Sequence, residues 1–422
     1  MPAAKHKIVT AFEGIPQSRS LETYLKHGGY QNLKKALSMK PDALVDLVKA
    51  SGLRGRGGAG FPTGLKWSFI PKDSKERYLV CNNDEGEPGT FKDRYILELS
   101  PHMLLEGMII TAYAIQSKKG YVYTRCEFYE EIEWLNQAID EAYETGYLGE
   151  NIIGSGFSFN LDHYIGAGAY VCGEETGMLS SLEGKKGYPK LKPPFPAVAG
   201  YLGKPTIINN TETLATIPWI IEHGAEAFRK FGTEKSPGTK LFCVSGPVKN
   251  PGVFERPLGY PLQKLIYEDA GGLIDGKELK AVIPGGASSP VLNKEDVMTM
   301  KLDFESLAGA GSMLGSGAVI VIPHDVNIFD VFKVTADFFH HESCGQCTPC
   351  REGTGWIANI LQGIEENKGS PADFERIYKI ATQLMGRTIC ALSDAAAMPA
   401  RGFVNKFRDE LNAYIETKRN TR

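Results

Sequence analysis

Four cysteines near the end of the chain have a spacing that can hold a metal centre. Cys344, Cys347 and Cys350 lie in the segment ESCGQCTPCRE with strict C-x2-C-x2-C spacing, and Cys390 follows farther along. Three thiolates at this pitch can bind one face of a cuboidal cluster, and a distant fourth can complete it, as in [4Fe–4S] sites. Structural zinc sites usually pair their cysteines in two separate C-x2-C hairpins, so zinc is the first alternative and free thiols are the second. The spacing therefore predicts an iron–sulfur cluster.

A glycine-rich segment earlier in the chain could bind an anion. Residues 52–67 read GLRGRGGAGFPTGLKW and contain six glycines. Successive backbone N–H groups in such a loop form an anion-binding concavity, to which Arg54, Arg56 and Lys66 add positive charge. A flexible linker is the alternative, but the apolar residues that follow at once indicate a packed loop. The segment fits the G-x-G-x-x-G spacing only loosely. We predict a phosphate-binding loop.

A phosphate-binding loop and one iron–sulfur cluster on the same chain indicate redox chemistry. Soluble two-electron carriers and one-electron clusters need an adapter that handles both, and flavin is the common one. A protein of another class, a zinc-stabilised nucleotide sensor without enzymatic activity, would also use a loop and four cysteines, but it would be colourless. The residues favour a flavin enzyme over the sensor.

The composition narrows the setting of this chemistry. The 422 residues are enough for two or three domains, and a hydrophobic fraction of 42% is ordinary for a globular protein. A total of 47 Lys and Arg against 50 Asp and Glu gives a net charge of −3, which predicts no nucleic-acid partner. No apolar run is long enough for a membrane span, and the first residues lack a signal or transit segment, so we expect a cytoplasmic protein. The other cysteines are expected to be reduced thiols; they are Cys81, Cys126, Cys172 and Cys243.

The elements that must position these residues begin with a region of alternating strands and helices. This alternation predicts a parallel sheet whose ligands bind beyond the carboxyl ends of the strands. A helix over Pro41–Ser51, ended by Gly52, leads into the glycine-rich loop, and a strand over 77–81 leads into the acidic loop 82–89. The other elements predicted here are helices over 101–116, 128–143 and 209–223 and strands over 120–125 and 157–168.

Two further regions follow. Short strands predict a small α+β domain, in which no ionisable cluster stands out. Its predicted strands are 240–245, 251–259, 279–284 and 318–323, with one helix over 262–270. The last region reads as four helices that form a bundle around the cysteines. These helices are predicted over 327–341, 353–365, 371–385 and 394–417.

The two motifs resemble the signatures of the NADH-oxidising, FMN-carrying F subunit of respiratory complex I, the bacterial NADH:quinone oxidoreductase. GLRGRGGAGFPTGLKW and ESCGQCTPCREG match that family letter for letter, and the resemblance covers nearly the whole chain. It implies an α/β Rossmann-like flavin domain over 1–237, a ubiquitin-like (β-grasp) α+β domain over 238–326 and a four-helix bundle with the [4Fe–4S] cluster over 327–422. It also implies FMN rather than FAD.

The resemblance implies an activity and partners. NADH would pass a hydride to FMN, and electrons would then leave singly through the cluster to a [2Fe–2S] thioredoxin-like subunit and a large multi-cluster iron–sulfur subunit. The chain would lie in the peripheral arm of a membrane complex, on its cytoplasmic side. The alternative is the homologous diaphorase subunit of a NAD-linked hydrogenase or formate dehydrogenase, which often carries an additional thioredoxin-like or ferredoxin domain.

The resemblance also implies site residues. FMN would be held by Gly55, Arg56, Gly57, Lys66, Asn82, Asp84, Glu85, Tyr170, Gly173, Glu174, Asn209, Asn210 and Thr213. NADH would contact Phe61, Lys66, Phe69, Glu87, Glu175, Lys192 and Phe195. Its adenine would lie between Phe69 and Phe195, although core packing is an alternative role for Phe61 and Phe69. No side chain is expected to be a catalytic acid or base, because FMN would carry the hydride while Glu87 and Glu175 position the nucleotide. Hydrogen bonds from the adenosine ribose to Glu175 would select NADH over NADPH.

Overall fold

Residues 7–420 are described by the structure, which is a computed structural model. The expectation that the chain begins without a signal or transit segment depends on its first residues, and residues 1–6 lie outside the described part. No helix within residues 7–420 is both long and apolar enough to cross a membrane.

A four-stranded sheet forms the centre of the first region, which extends to residue 237. Its strands are β1 (Tyr78–Asn83), β2 (Lys119–Thr124), β3 (Asn160–Ile165) and β4 (Thr206–Asn210), in the order β3-β2-β1-β4. Every neighbouring pair is parallel, as the alternation of strands and helices predicts. The carboxyl ends of the strands therefore lie along one side of the sheet, which we call the carboxyl edge. β1 extends beyond its predicted end, so Asn82 and Asn83 belong to this edge rather than to the acidic loop.

Helices connect these strands and bury their apolar faces. They are α1 (Leu21–Lys26), α2 (Gln31–Leu37), α3 (Pro41–Ser51), α4 (Thr63–Trp67), α5 (Lys92–Leu99), α6 (Pro101–Ile115), α7 (Tyr129–Glu144), α8 (Glu175–Leu182), α9 (Pro196–Ala199), α10 (Thr211–His223) and α11 (Ala225–Arg229). The α3 helix ends at Gly52, whose φ of 69° lies in the left-handed region that favours glycine, as predicted. All of α6 except Tyr113 is buried. A 3₁₀ turn, Tyr170–Gly173, precedes α8.

The second region, residues 238–326, is built on a mixed five-stranded sheet. Its strands are β5 (Thr239–Ser245), β6 (Gly252–Pro257), β7 (Tyr260–Pro261), β8 (Leu279–Ile283), β9 (Leu292–Asn293), β10 (Lys301–Leu302) and β11 (Ala318–Pro323). The order is β6-β5-β11-β8-β9, and β7 pairs with β10 separately. The predicted helix over 262–270 is a short helix α12 (Leu262–Lys264) followed by a π turn, Leu265–Asp269. The prediction of one helix was incomplete, because α13 (Lys294–Thr299) and α14 (Phe304–Gly309) are also present.

The third region, residues 327–420, is helical. Its helices are α15 (Ile328–Glu342), α16 (Thr348–Glu365), α17 (Pro371–Leu384), α18 (Leu392–Lys406) and α19 (Arg408–Asn420). The prediction of a single helix over 394–417, and so of four helices in total, was wrong. The backbone leaves the helical region at Phe407, with φ −128° and ψ 26°, and this break separates α18 from α19. α16 also begins earlier than predicted, inside the cysteine motif.

The core of the bundle continues into the second region. Phe329 and Phe403 of the bundle share one apolar cluster with Ala281, Ile283 and Ile322 of the five-stranded sheet. Burial of a shared apolar cluster holds these two regions together.

Candidate functional site

Asparagines from neighbouring strands meet at the carboxyl edge. Asn82 at the end of β1 lies opposite Asn210 at the end of β4 in the parallel register. Asn82 Nδ2 donates a 2.8 Å hydrogen bond to the carbonyl oxygen of Gly173, which ties the 3₁₀ turn to the sheet. Asn210 caps α10, because its Oδ1 accepts from the backbone N–H of Glu212 at 3.0 Å. Asn209 accepts from Trp67 Nε1 at 2.8 Å.

The glycine-rich loop lies directly over these strand ends. Gly55 N–H donates to the carbonyl oxygen of Phe61 at 2.9 Å, which closes the loop. Arg56 N–H donates to Thr213 Oγ1 at 2.9 Å. A Cβ atom at Gly57 would lie 3.0 Å from Asn210 Cβ, so a side chain there would push against the strand end. The loop backbone and the carboxyl edge thus form one surface, as the sequence predicts for a ligand-binding loop.

The two arginines of the loop differ from the sequence expectation. Arg54 does not add free positive charge to the loop, because its Nη1 lies 2.6 Å from Glu305 Oε1 and its guanidinium stacks on Phe304 at 3.8 Å. Arg56 is buried, and its Nη2 donates to the carbonyl oxygen of Pro237 at 3.0 Å. Burial lowers the pKa of Arg56 to about 10. Its Nε and Nη1 atoms are buried without a hydrogen-bond partner, so they can still donate to an anion.

The acidic loop contributes one free carboxylate and one that the protein uses itself. Asp84 Oδ2 is buried without a partner, and burial raises the pKa of Asp84 to about 7. This oxygen is close to Gly173, where a Cβ atom would lie 3.8 Å from it. The Glu85 carboxylate instead accepts backbone N–H groups of Lys92 and Asp93 at 2.9 and 2.8 Å, and so caps α5. Burial raises the pKa of Glu85 to about 8.

Glu87 and Tyr170 lie where the three regions meet. The Tyr170 hydroxyl donates to the Glu87 carboxylate, which also accepts from Ser288 N–H of the second region at 2.7 Å. Tyr170 N–H donates to Glu342 of α15 at 3.1 Å, and its ring packs edge-on against Phe338 at 5.2 Å. These contacts fix the 3₁₀ turn against both other regions.

Two lysines and two glutamates form a compact charged group beside the carboxyl edge. Lys66 Nζ lies 2.9 Å from Glu175 Oε2, and Lys192 Nζ lies 3.1 Å from Glu175 Oε1 and 2.9 Å from Glu174 Oε1. The other oxygen of Glu174 caps α8 by accepting from the N–H groups of Thr176 and Gly177. Burial acts to raise the pKa of Glu175, but Lys66 and Lys192 outweigh it and hold that pKa below its ordinary value. Glu175 therefore carries a negative charge near neutral pH.

Three aromatic rings near this group are exposed. Phe61, Phe69 and Phe195 have relative exposures of 45%, 47% and 57%. The rings of Phe61 and Phe69 have centroids 6.1 Å apart with an interplanar angle of 52°. The alternative that Phe61 and Phe69 pack in the core is wrong, because nearly half of each side chain remains open to solvent. Exposed aromatic rings at a site edge can stack on a planar ligand.

The sequence analysis missed a group of buried charges behind the glycine-rich loop. Lys92, Asp93, Glu212 and Lys240 are each almost completely buried. The sequence carries a weak signal for Lys240, a lysine near the start of the otherwise apolar strand TKLFCVS. The expectation that the second region contributes no ionisable cluster was wrong, because β5 delivers Lys240 to this group.

The four cysteines of the motif line one pocket. Cys344, Cys347 and Cys350 come from the turn before α16 and from its first residues, and Cys390 comes from the loop before α18. The remaining lining residues are Ser343, Gln346, Thr388, Ile389 and Leu392. Ser343 Oγ lies 3.3 Å from Cys350 Sγ, and Ile389 N–H donates to Cys347 Sγ at 3.4 Å. Such hydrogen bonds to sulfur are typical around iron–sulfur clusters.

The arrangement of the thiols favours a cluster over a single zinc ion. Zinc would need four sulfur atoms at about 2.3 Å from one point. Among residues 7–420, no three His, Cys, Asp or Glu side chains are close enough together to ligate a single ion. The cysteines surround a pocket instead, which fits a group with several metal atoms.

The cysteine pocket and the carboxyl edge share one apolar layer. Val171 and Cys172 of the 3₁₀ turn, Leu179 of α8 and Ile208 of β4 form a buried cluster against which the four cysteines pack. The same turn ends at Gly173, which Asn82 holds at the carboxyl edge. The two sites are therefore separated by a short layer of packed side chains.

Three family models match successive parts of the chain. The Nuo51 FMN-binding domain matches residues 48–219, the SLBB domain residues 240–321, and the NADH-ubiquinone oxidoreductase-F iron-sulfur binding region residues 330–414. These matches confirm a flavin-binding α/β region, a second mixed region and a helical region with the cluster.

Several proteins are similar over nearly the whole chain, and each is named as the F subunit of an NADH-quinone oxidoreductase. The one from Rhizobium meliloti (strain 1021), which is the second such protein of that organism, is 52% identical over 96% of this chain and 96% of its own length. The one from Streptomyces coelicolor (strain ATCC BAA-471 / A3(2) / M145) is 47% identical over 97% and 91%. The one from Rickettsia bellii (strain OSU 85-389) is 47% identical over 97% and 99%.

A solved structure has the same fold. A chain of NAD⁺-reducing [NiFe]-hydrogenase in the H₂-reduced state superposes with a TM-score of 0.85 at 37% identity, over 94% of this chain and 67% of that one.

These comparisons confirm the resemblance seen in the two motifs. They also confirm FMN and a [4Fe–4S] cluster as cofactors and NADH oxidation as the activity. The chain belongs to the F-subunit family of the NADH-quinone oxidoreductases.

Proposed function

We propose that NADH and FMN bind together at the carboxyl edge and that electrons leave the chain through the cysteine pocket. The observation that carries this proposal is the position of the 3₁₀ turn. Gly173 at its end accepts from Asn82 at the carboxyl edge, while Val171 and Cys172 pack against the cysteines. One turn of backbone thus connects a nucleotide site with a cluster site.

The residues at the carboxyl edge fit FMN. This cofactor carries hydroxyl groups and a phosphate, and the edge holds buried polar atoms that lack partners, namely Asp84 Oδ2 and Arg56 Nε and Nη1. Asp84 would accept a hydroxyl, and Arg56 with the backbone around Gly57 would bind the phosphate. Asn82 and Asn210 form the floor of the site at the strand ends. When bound, FMN accepts a hydride and releases two electrons one at a time.

The other residues implied by the family would act through position or through contacts with NADH. Gly55 and Thr213 shape the loop, Tyr170 and Gly173 hold the turn, and Glu174 and Asn209 brace Lys192 and Trp67. Glu85 would act indirectly, because its carboxylate caps α5.

The charged group and the exposed aromatic rings would orient NADH. Phe69 and Phe195 present exposed rings on which the adenine can stack, and Phe61 extends this surface. Glu175 would accept the ribose hydroxyls of NADH, while Lys66 and Lys192 hold its carboxylate in place. These side chains bind and align the nucleotide, and alignment is the main contribution that the protein makes to hydride transfer.

We further propose the division of labour within a larger assembly. The relatives are named as subunits, which supports a role in a complex with other chains. A [2Fe–2S] thioredoxin-like subunit and a large multi-cluster iron–sulfur subunit would receive the electrons, in a peripheral arm on the cytoplasmic side of the membrane. The flavin, ubiquitin-like and bundle domains would extend over residues 1–237, 238–326 and 327–422.

The alternative assignment is the diaphorase subunit of a NAD-linked hydrogenase. It has support in the hydrogenase chain of the same fold. This chain covers only 67% of that chain, but between 91% and 99% of three quinone oxidoreductase relatives at higher identity. Identity and length both favour the quinone oxidoreductase assignment.

The test is to purify the chain anaerobically with a candidate [2Fe–2S] partner and to measure its iron, sulfide, zinc and flavin. Visible and electron paramagnetic resonance spectra are recorded before and after NADH is added. We expect bleaching of a flavin band and a reducible four-iron signal. Zinc in place of iron, or a bound flavin that NADH does not reduce, would overturn the proposal.

A further inference from the structure

The buried charges behind the glycine-rich loop form one connected network. Lys92 Nζ lies 2.7 Å from Asp93 Oδ1 and 3.0 Å from Glu212 Oε2. Lys240 Nζ lies 3.1 Å from the same Glu212 oxygen. Glu212 Oε1 also accepts from Leu241 N–H at 2.8 Å, so this carboxylate holds the first turn of α10 to β5. Charges at such depth need a purpose or a compensating set of contacts.

The network reaches the loop at two adjacent residues. Lys240 Nζ donates to the carbonyl oxygen of Arg56 at 3.1 Å. Lys92 and Asp93 bind the two ends of the Asn210 amide, at 3.1 and 2.7 Å, and Asn210 is the residue against which Gly57 packs. The network therefore fixes the backbone of Arg56 directly and that of Gly57 through Asn210.

The network also carries an excess of positive charge. Arg56, Lys92 and Lys240 are cations, whereas Asp93 and Glu212 are anions. Glu85 lies close enough to interact with Asp93 and Lys92, but burial raises its pKa to about 8, so it is mostly neutral at pH 7. An unbalanced positive charge beneath a loop stabilises an anion that binds on the loop.

We propose that Lys240 is a positioning residue for the phosphate of the flavin. From the second region it holds the Arg56 carbonyl, and it supplies the unbalanced positive charge beneath the phosphate-binding loop. This inference rests on the proposed flavin site. It assigns the second region a part in binding a phosphate monoester, in addition to its structural contacts.

The test compares two flavins that differ only in the phosphate. FMN and riboflavin are titrated into flavin-depleted chain purified with its partner, and quenching of flavin fluorescence gives both dissociation constants. In Lys240→Met we expect FMN to bind about tenfold more weakly or worse, as for the loss of a hydrogen bond to a charged donor, whereas riboflavin changes much less. Lys240→Arg should restore most of the preference for FMN.

A matched control lies on the same sheet. Lys280 of β8 also donates to a backbone carbonyl and a glutamate, at 2.7 Å to Val326 and 2.6 Å to Glu410, away from the loop. Lys280→Met should leave both flavin affinities unchanged. If Lys240→Met does not fold, the double variant Lys240→Met with Glu212→Gln removes the charge pair together and keeps an acceptor for Leu241.

The outcomes separate this inference from the proposed function. Equal weakening of FMN and riboflavin, or unchanged FMN binding in a folded Lys240 variant, would overturn the role of Lys240. Failure of the unaltered chain to bind FMN would instead overturn the proposed flavin site.

Discussion

Glu175 shows how a single carboxylate can be prepared for a nucleotide. Lys66 and Lys192 contact its two oxygens separately, and about a fifth of the side chain remains open, with a relative exposure of 22%. The two lysines keep the carboxylate ionised while its outer face stays available. A ribose with free hydroxyls suits this face, whereas a 2′-phosphate would place negative charge against negative charge.

Glu175→Gln should therefore weaken the preference for NADH over NADPH. The neutral amide no longer repels a 2′-phosphate, and the two lysines become free to attract it. We expect the ratio of kcat/KM for NADH to kcat/KM for NADPH to fall about tenfold, which corresponds to about 1.4 kcal/mol. Glu183→Gln is the matched control, because Glu183 at the other end of α8 also contacts two lysines. An unchanged ratio in the Glu175 variant would contradict its assignment.

Asp84 predicts a pH dependence of stability. Burial raises its pKa from 3.8 to about 7 even though Arg125 acts in the opposite direction, so the folded chain binds more protons than the unfolded chain between these values. Stability should fall as the pH rises from about 4 to about 7 and should level off above that, because the carboxylate then ionises in both states. Asp84→Asn lacks this penalty.

The measurement is the difference in Tm between Asp84→Asn and the unaltered chain, both depleted of flavin, over that pH range. We expect the Asn variant to gain relative to the unaltered chain as the pH rises to about 7. A difference in Tm that does not vary with pH would show that Asp84 titrates normally.

Some of these residues can be found from the sequence and others cannot. The cysteine spacing and the loop motif identify both sites, because each is a local pattern of residues close in the chain. Lys240 and Glu212 are not identifiable in this way, because a lysine in a strand and a glutamate in the first turn of a helix are ordinary on a surface. Only the packing of β5 against α10 makes them a buried pair.

At the scale of the element, the crossing of α6 and α10 supports the carboxyl edge. Gly107 of α6 faces the backbone of α10, and a Cβ atom there would lie 2.0 Å from the carbonyl oxygen of Leu214. The same helix α10 begins just after Asn210, so its position sets the position of the strand end and of the loop above it.

Gly107→Ala should destabilise the chain by about 1–3 kcal/mol, because the added methyl group forces the two helix backbones apart. We expect a lower Tm and weaker FMN binding together, since α10 carries part of the flavin site. Gly363→Ala in α16 is the control; its Cβ would meet nothing within 4 Å, and alanine favours a helix. Native Tm and FMN binding in the Gly107 variant would mean that the helices can adjust without cost.

Elements with strong local signals were predicted well. α3 begins and ends as predicted, because proline in the first turn and glycine after the last are both encoded locally. The break at Phe407 has no such signal, since neither glycine nor proline marks it. The short helices α13 and α14 were missed for the reason that they are brief and lie between strands.

At the scale of the whole molecule, the three regions meet around the 3₁₀ turn. Tyr170 contacts Glu87 beside the flavin site and Glu342 of the bundle, and Glu87 in turn accepts from Ser288 of the second region. The nucleotide site and the cysteine pocket nevertheless use different side chains. Removal of one cofactor should therefore leave the other in place.

Cys390→Ser tests this separation. The cluster loses one of its four thiolates, so we expect the four-iron signal and most of the iron to be lost. NADH should still bleach the flavin band, because no cysteine belongs to the nucleotide site. The control is Cys126→Ser, which replaces a cysteine outside the pocket and should keep both cofactors. Loss of flavin reduction in the Cys390 variant would show that the sites depend on each other.

The order of the cysteines along the chain has a consequence for biosynthesis. Cys344, Cys347 and Cys350 lie before or at the start of α16, whereas Cys390 follows α17, so the hairpin of these two helices must close before all four thiols share one pocket. A ribosome-bound chain that has not yet released Cys390 offers only three thiols to an iron donor. Delivery of the metal is thereby timed to follow the completion of this hairpin, and an intact cluster reports that α16 and α17 have come together.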